Sequence, residues 1–164
     1  MSELTPERVL NVAKEIVTSK EFCFLVTLHE SGRANARVMQ PFPPEEDWTI
    51  WFGASPESRK VEEILEDDRV TVGYERGERG AYVTLVGTAS VRDDADLRDR
   101  YWRASFADYW PDGPGEDYVL IEFVPSRMEV MDISREVTPE PFGLQPAVLL
   151  RGEEGWSLAA EDAG

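Results

Sequence analysis

The residues best suited to chemistry in this 164-residue chain are cationic and stand close together. In Ser55-Pro56-Glu57-Ser58-Arg59-Lys60, Arg59-Lys60 is the one pair of adjacent basic residues in the sequence. It follows the strand-like run WTIWFG and opens an amphipathic stretch, KVEEILEDD. A helix start offers unpaired backbone N–H groups and partial positive charge, and both attract phosphate. Ser58 adds a hydroxyl, and a dianion calls for such charge-assisted donors. The competing reading is an ordinary capped surface helix whose Arg59 and Lys60 offset Glu62, Glu63 and Glu66. A second cation, Arg37, alternates with apolar neighbours in ANARVMQP, and an Arg so placed is commonly paired with a carboxylate or bound to an anion. Neither motif is a P-loop or a GxGxxG fingerprint.

Other chemistries find few residues. One histidine, His29, argues against zinc sites and histidine-based triads, so no metal site is expected. One cysteine, Cys23, permits no internal disulfide and, between Phe22 and Phe24, reads as a small buried hydrophobe. Carboxylates are too abundant for spacing to single out an acid–base pair. Among the aromatics Tyr101, Trp102, Phe106, Tyr109 and Trp110, most read as core, while Trp110 at a Pro/Gly loop is placed to wall a ligand pocket.

The elements that must hold these groups follow from periodicity. Thr5 and Pro6 open a first helix with Val9, Val12, Ala13, Ile16 and Val17 on one face. FCFLVTLH and ANARVMQP flank the turn ESGR as a hairpin, and WTIWFG is a third strand. SPESRKVEEILEDD predicts a helix with Ser55 as N-cap and Pro56 at its first position. RVTVGYE and AYVTLVGTASVR read as paired strands. DDADLRDRYWRASFADYW predicts a third helix, and YVLIEFVPSRMEVMDI two strands broken near Pro125. Pro139, Pro141 and Pro146 mark an extended connection to a small hairpin, AVLLRGEEGWSLA, with EDAG as a frayed end. Strands dominate without βαβ alternation, so the expectation is a mainly β protein: an antiparallel barrel with helices outside.

Composition narrows the partners. Lys+Arg 17 against Asp+Glu 33 gives a formal net charge of -16 and a sequence pI near 4.4. That disfavours nucleic acid and anionic membrane surfaces alike. The plain reading of the excess acid is a soluble surface kept apart by repulsion, with a salt-adapted host or skewed genome composition as alternatives. No apolar run reaches the length of a membrane span, and MSELTPERVL lacks the features of a signal peptide. A cytoplasmic location is expected.

In their order, FCFLVTLHESGRANARVM, WTIWFGASPESRKVEEILEDDRVTVGY, YVTLVGTASV and WPDGPGEDYVLIEFVPSRMEVMD resemble the general-stress-protein branch of the pyridoxamine 5'-phosphate oxidase-like superfamily. The resemblance spans roughly Glu21 to Ile133, with TPEPFGLQPAVLLR similar to extensions on some relatives. It implies a six-stranded split barrel over 1–133, with 134–164 as an extension packed on or beside it. It also implies a homodimer with FMN at the subunit interface. Arg37 of the R-x-M strand, with Met39, and Ser58, Arg59 and Lys60 would hold the flavin phosphate. The backbone of Val38, Met39 and Gln40 would follow the isoalloxazine edge, and Gly53, Ala54 and Ser55 the phosphate and ribityl side. The family often carries a hydroxyl residue at the position of Ala54, a hydrogen bond here absent or supplied by Ser55. The expected activity is FMN-dependent oxidation or reduction of a small molecule. The alternatives are a non-catalytic flavin-binding stress protein and a deazaflavin-dependent reductase. Efficient oxidation of pyridoxamine 5'-phosphate is not expected: Met131 stands where the true oxidases carry Trp, and Arg135 alone replaces their Arg-Leu-His segment.

Overall fold

In the computed structural model, residues 3–77, 79–139 and 144–159 are described. Pro141 and the EDAG end lie outside them. Helix α1 covers Pro6–Thr18, with the Thr5 hydroxyl accepting from the Arg8 N–H at 3.2 Å, and buries the five apolar residues its period marks. The strands are β1 (Cys23–Leu28), β2 (Ala34–Met39), β3 (Ile50–Ala54), β4 (Arg69–Glu75), β5 (Tyr82–Arg92), β6 (Val119–Met131), β7 (Ala147–Gly152) and β8 (Gly155–Leu158). All pair antiparallel in the order β2-β1-β4-β5-β6-β7-β8, with β3 on β6. The class is therefore mainly β with flanking helices. Eight strands stand where six were expected, because the tail hairpin β7–β8 joins the sheet through β6.

Strand β6 is continuous where two strands were expected. Its first half lies between β3 and β5, its second between β5 and β7. Pro125 does not break it, because it falls at a bulge: Val86 pairs with Arg127 and Gly87 with Pro125, leaving Ser126 extra. Proline is tolerated at such a point, where a ladder N–H is not needed. A Cβ on Gly87 would meet the Val124 carbonyl oxygen at 2.1 Å, so the close crossing requires glycine.

The main core joins the buried face of α1 to inward residues such as Leu25, Phe52, Val72, Leu85, Ile121 and Met128. Strand β3 is buried on both faces, and its opposite side serves a second, aromatic cluster of Phe42, Trp51, Tyr101, Phe106, Tyr118 and Leu120. That cluster corrects the third helix. Helix α3 covers only Ala95–Arg100, and a 3-10 turn follows at Ala104–Asp108. Between them the chain leaves the helix at Tyr101 and extends at Arg103. The break lets Tyr101 stack on Trp51, centroids 4.6 Å apart, while Trp102 and Trp110 set their edges against Tyr118 at 5.1 and 4.9 Å. Tertiary aromatic packing here outweighs helical propensity. No helix among the described residues is long and apolar enough to cross a membrane.

Candidate functional site

Helix α2 covers Arg59–Glu66, so the sequence expectation of a start at Pro56 is corrected by three residues. Ser55 to Ser58 instead form a turn. The Ser58 N–H and Oγ both donate to the Ser55 carbonyl, at 3.1 and 2.7 Å, and the Glu57 N–H reaches Ser55 Oγ at 3.4 Å. Ser58 becomes the N-cap with its hydroxyl turned away from the helix. Arg59 and Lys60 are then the first two helical residues, whose N–H groups have no acceptor within the helix.

This turn borders a cleft of about 620 Å³, a size suited to a small-molecule ligand. Its lining includes Val38 and Met39 from β2 and Gln40 just after it, Gly53 and Ala54 from the end of β3 and Ser55 just after it, Lys60 from α2, and Trp110. These residues come from separate parts of the sequence, and the structure brings them to one surface. Phe22, Phe106, Tyr109 and Asp117 complete it; Phe106 and Tyr109 stood among the aromatics read mostly as core, and Phe106 is buried while Tyr109 is exposed. Asp117 was one acid among many, and Phe22 read simply as the start of a strand. A larger hollow of about 760 Å³ follows α1, but its cations are committed: Arg135 to Glu15, Arg8 to the Arg135 carbonyl, Lys14 to the Pro44 carbonyl.

The walls are fixed by packing. Trp110 donates from Nε1 to the Asp117 carbonyl at 2.7 Å, which pins the indole. Gly53 allows Tyr118 to lie against β3, where a Cβ would fall 2.5 Å from the Tyr118 hydroxyl. That hydroxyl donates to the Tyr101 carbonyl at 2.6 Å. Among the described residues strand β2 is an edge strand paired only with β1, so backbone N–H and C=O groups along its free side have no strand partner there.

Three expected site residues, Arg37, Ser58 and Arg59, are not among those lining the cleft. Asn35, Arg37 and Met39 form the more buried face of β2, while Ala34, Ala36 and Val38 face outward. Arg37 donates to Thr27 Oγ1 at 2.7 Å, to the Leu25 carbonyl at 3.3 Å and to Glu63 Oε1 at 3.3 Å. Burial lowers its pKa, and the Glu63 charge opposes that shift. Arg59 is 68% exposed, its Nε 3.9 Å from Glu63 Oε1.

Lys60 differs from both. Its ammonium has no hydrogen-bond or ion-pair partner among the described residues, although it is half-buried and lines the cleft. Burial, and then the positive charge of Arg37, push its pKa down. A half-buried cation without a counterion among the described residues is costly, and an anion beside it would relieve that cost. Cys23 and His29 offer nothing comparable. Burial pushes the Cys23 thiol up to about 12, and His29 bonds Ser31 at the β1–β2 turn. No cluster of metal-binding side chains occurs among the described residues.

The sequence matches the family model described as pyridoxamine 5'-phosphate oxidase like over residues 9–141. General stress protein 26 of Bacillus subtilis (strain 168) is 32% identical over 114 residues, covering 67% of this chain and 79% of that protein. Among solved structures, a protein related to general stress protein 26 from Clostridium acetobutylicum superposes with a TM-score of 0.74 at 19% identity, covering 88% of this chain and 95% of that one. A pyridoxamine 5'-phosphate oxidase-related, FMN-binding protein from Nostoc punctiforme PCC 73102 gives 0.68 at 13% identity, over 92% and 93% of the two chains.

Proposed function

Because the chain belongs to the pyridoxamine 5'-phosphate oxidase-like family, we propose that the Lys60 cleft binds FMN and serves oxidation or reduction of a small molecule. The observation that carries this reading is the half-buried Lys60 ammonium, without a partner among the described residues, in the lining of a cleft with several apolar walls. Its charge suits a phosphate, with the N–H groups of the α2 start and the Ser55 hydroxyl as further donors. Trp110, Phe106 and Val38 suit a planar ring, and the free side of β2 at Val38 and Met39, with Gln40 just beyond it, suits the polar edge of that ring. FMN bound there supplies hydride or electron transfer, which the side chains position and tune. Ala34, Ala36 and Val38 on β2 and Phe24 on β1 form an apolar outer face, with Phe24 and Val38 paired across the strands and 53% and 57% exposed. Since Val38 also borders the cleft, a second copy of the chain packed on this face would bury it and shield the ring together.

The test is the absorption spectrum and mass of the co-purifying cofactor, followed by titration of apoprotein with FMN and riboflavin. FMN should bind at least about tenfold tighter, the contribution of one charged hydrogen bond. Equal affinities would overturn the phosphate assignment, and a deazaflavin mass would replace FMN. Reduction of the bound flavin by a nicotinamide donor supports an oxidoreductase. Flavin that no donor reduces supports the storage alternative.

A further inference from the structure

A second hollow, of about 210 Å³, lies beside the cleft, and the two share Gln40. Val17, Pro41, Phe42, Pro43 and Pro44 give it apolar walls. Its charged lining is Lys20, Glu21 and Arg103, two cations to one acid in a chain where acids outnumber bases 33 to 17. Arg103 is half-buried and has no carboxylate at ion-pair distance among the described residues. Its guanidinium donates from Nη2 to the Pro41 carbonyl and lies over the rings of Phe42 and Phe106, 4.3 and 5.7 Å from their centroids. Nη1 makes no hydrogen bond among the described residues and is shut off from solvent, so hydration is lost there without a replacement. Lys20 lines the same hollow, and its ammonium has no hydrogen-bond or ion-pair partner among the described residues. Tyr74, 2% exposed, turns a hydroxyl into this region that meets nothing stronger than the Cys23 thiol.

We propose that this hollow binds the carboxylate of a small organic acid, with Arg103 and Lys20 supplying the charge that holds it. The charge balance selects a monoanion. Two cations against Glu21, which is exposed and accepts from Gln40 Nε2 at 3.3 Å, leave one positive charge. Val17 and Thr18 belong to the C-terminal end of α1, whose partial negative charge weighs further against a dianion. The size and walls select the rest of the ligand. The hollow has about a third of the volume of the cleft, and its proline and phenylalanine walls suit a short apolar stem. A carboxylate here gives Arg103 the counterion that the chain itself does not provide. Gln40 at the shared border places the bound acid next to the proposed flavin site.

The probe is butyrate, titrated at fixed ionic strength into the protein as purified and compared with butyramide, its neutral isostere. Butyrate should bind at least about tenfold tighter, the contribution of one charged hydrogen bond. It should also shift the ring-proton signals of Phe42 and Tyr74 in NMR spectra. Arg103→Gln keeps a donor for the Pro41 carbonyl and removes the charge. It should weaken butyrate about tenfold or more and leave butyramide within about threefold. Lys20→Gln alters no hydrogen bond of the folded chain and should weaken butyrate about threefold or more. Equal binding of butyrate and butyramide would overturn the proposal, as would ring signals of Phe42 and Tyr74 that do not move. Butyrate affinity unchanged in Arg103→Gln, or in Lys20→Gln where the first variant does not fold, would overturn it too. None of these readouts uses flavin, so the carboxylate site stands or fails apart from the FMN assignment, which the comparison of FMN with riboflavin tests.

Discussion

Replacing Lys60 by Met keeps the aliphatic stem that lines the cleft and removes only the ammonium. Among the described residues that ammonium has no partner, and burial and Arg37 both disfavour its charge. Its removal should therefore leave the melting temperature of the apoprotein unchanged or raise it. FMN binding should move the other way. One charged hydrogen bond contributes about 1.5–3 kcal/mol, so the FMN dissociation constant should rise about 10- to 150-fold. Riboflavin, which has no phosphate, should change by less than about threefold. The pH dependence has a definite sign. The protonated amine is the binding form, so FMN affinity falls as pH rises through the depressed pKa of Lys60 in the free protein. That alkaline limb should begin at lower pH than an ordinary lysine would give, and it should vanish in Lys60→Met. Fluorescence titration of both flavins and thermal melts of the apoproteins read all these quantities. Equal losses of FMN and riboflavin, or a destabilised apoprotein, would show that Lys60 is structural and refute the reasoning.

Three further outcomes are expected. Gly53→Ala drives a Cβ against the fully buried Tyr118, so it should cost about 1–3 kcal/mol in chemical denaturation and weaken both flavins alike. Glu63 has a folded pKa below its unfolded value, so its stabilisation is complete above the ordinary carboxylate range and lost as pH falls through the depressed value; in a melting-temperature profile against pH, Glu63→Gln should flatten this acid limb. Phe24→Lys places a charge on the apolar outer face of β1; under the proposed pairing of two chains, light scattering in moderate salt should give a dimer's mass for the wild type and a monomer's for the variant.

How much of this was legible in the sequence depended on whether a signal was local. The α1 face and the β1–β2 hairpin rest on short-range patterns, which the structure keeps. The start of α2 did not follow its local signal, since Ser55 serves a turn and Ser58 takes the cap. Pro125 looked like a break because only the opposing Gly87 shows that it occupies a bulge. The aromatic helix splits because Trp51 and Tyr118, distant in sequence, claim its side chains. Glu63 was unreadable for a different reason. It is one of 33 acids, and its partners Thr27, Asn35 and Arg37 are 26 to 36 positions away.

Strand β6 pairs with β3, β5 and β7, and it lies late in the chain. During synthesis β3 emerges with Ile50, Trp51 and Phe52 and has no strand to join until Val119 to Phe123 have followed. The nascent chain thus holds a fully apolar strand and the long hairpin arm of β5 without their shared neighbour through much of translation. Such intermediates expose the surfaces from which aggregation starts. A net charge of -16 would act against such association, because incomplete chains of like charge repel one another. Substitutions that neutralise surface acids should therefore lower the soluble yield more than the stability of the folded protein.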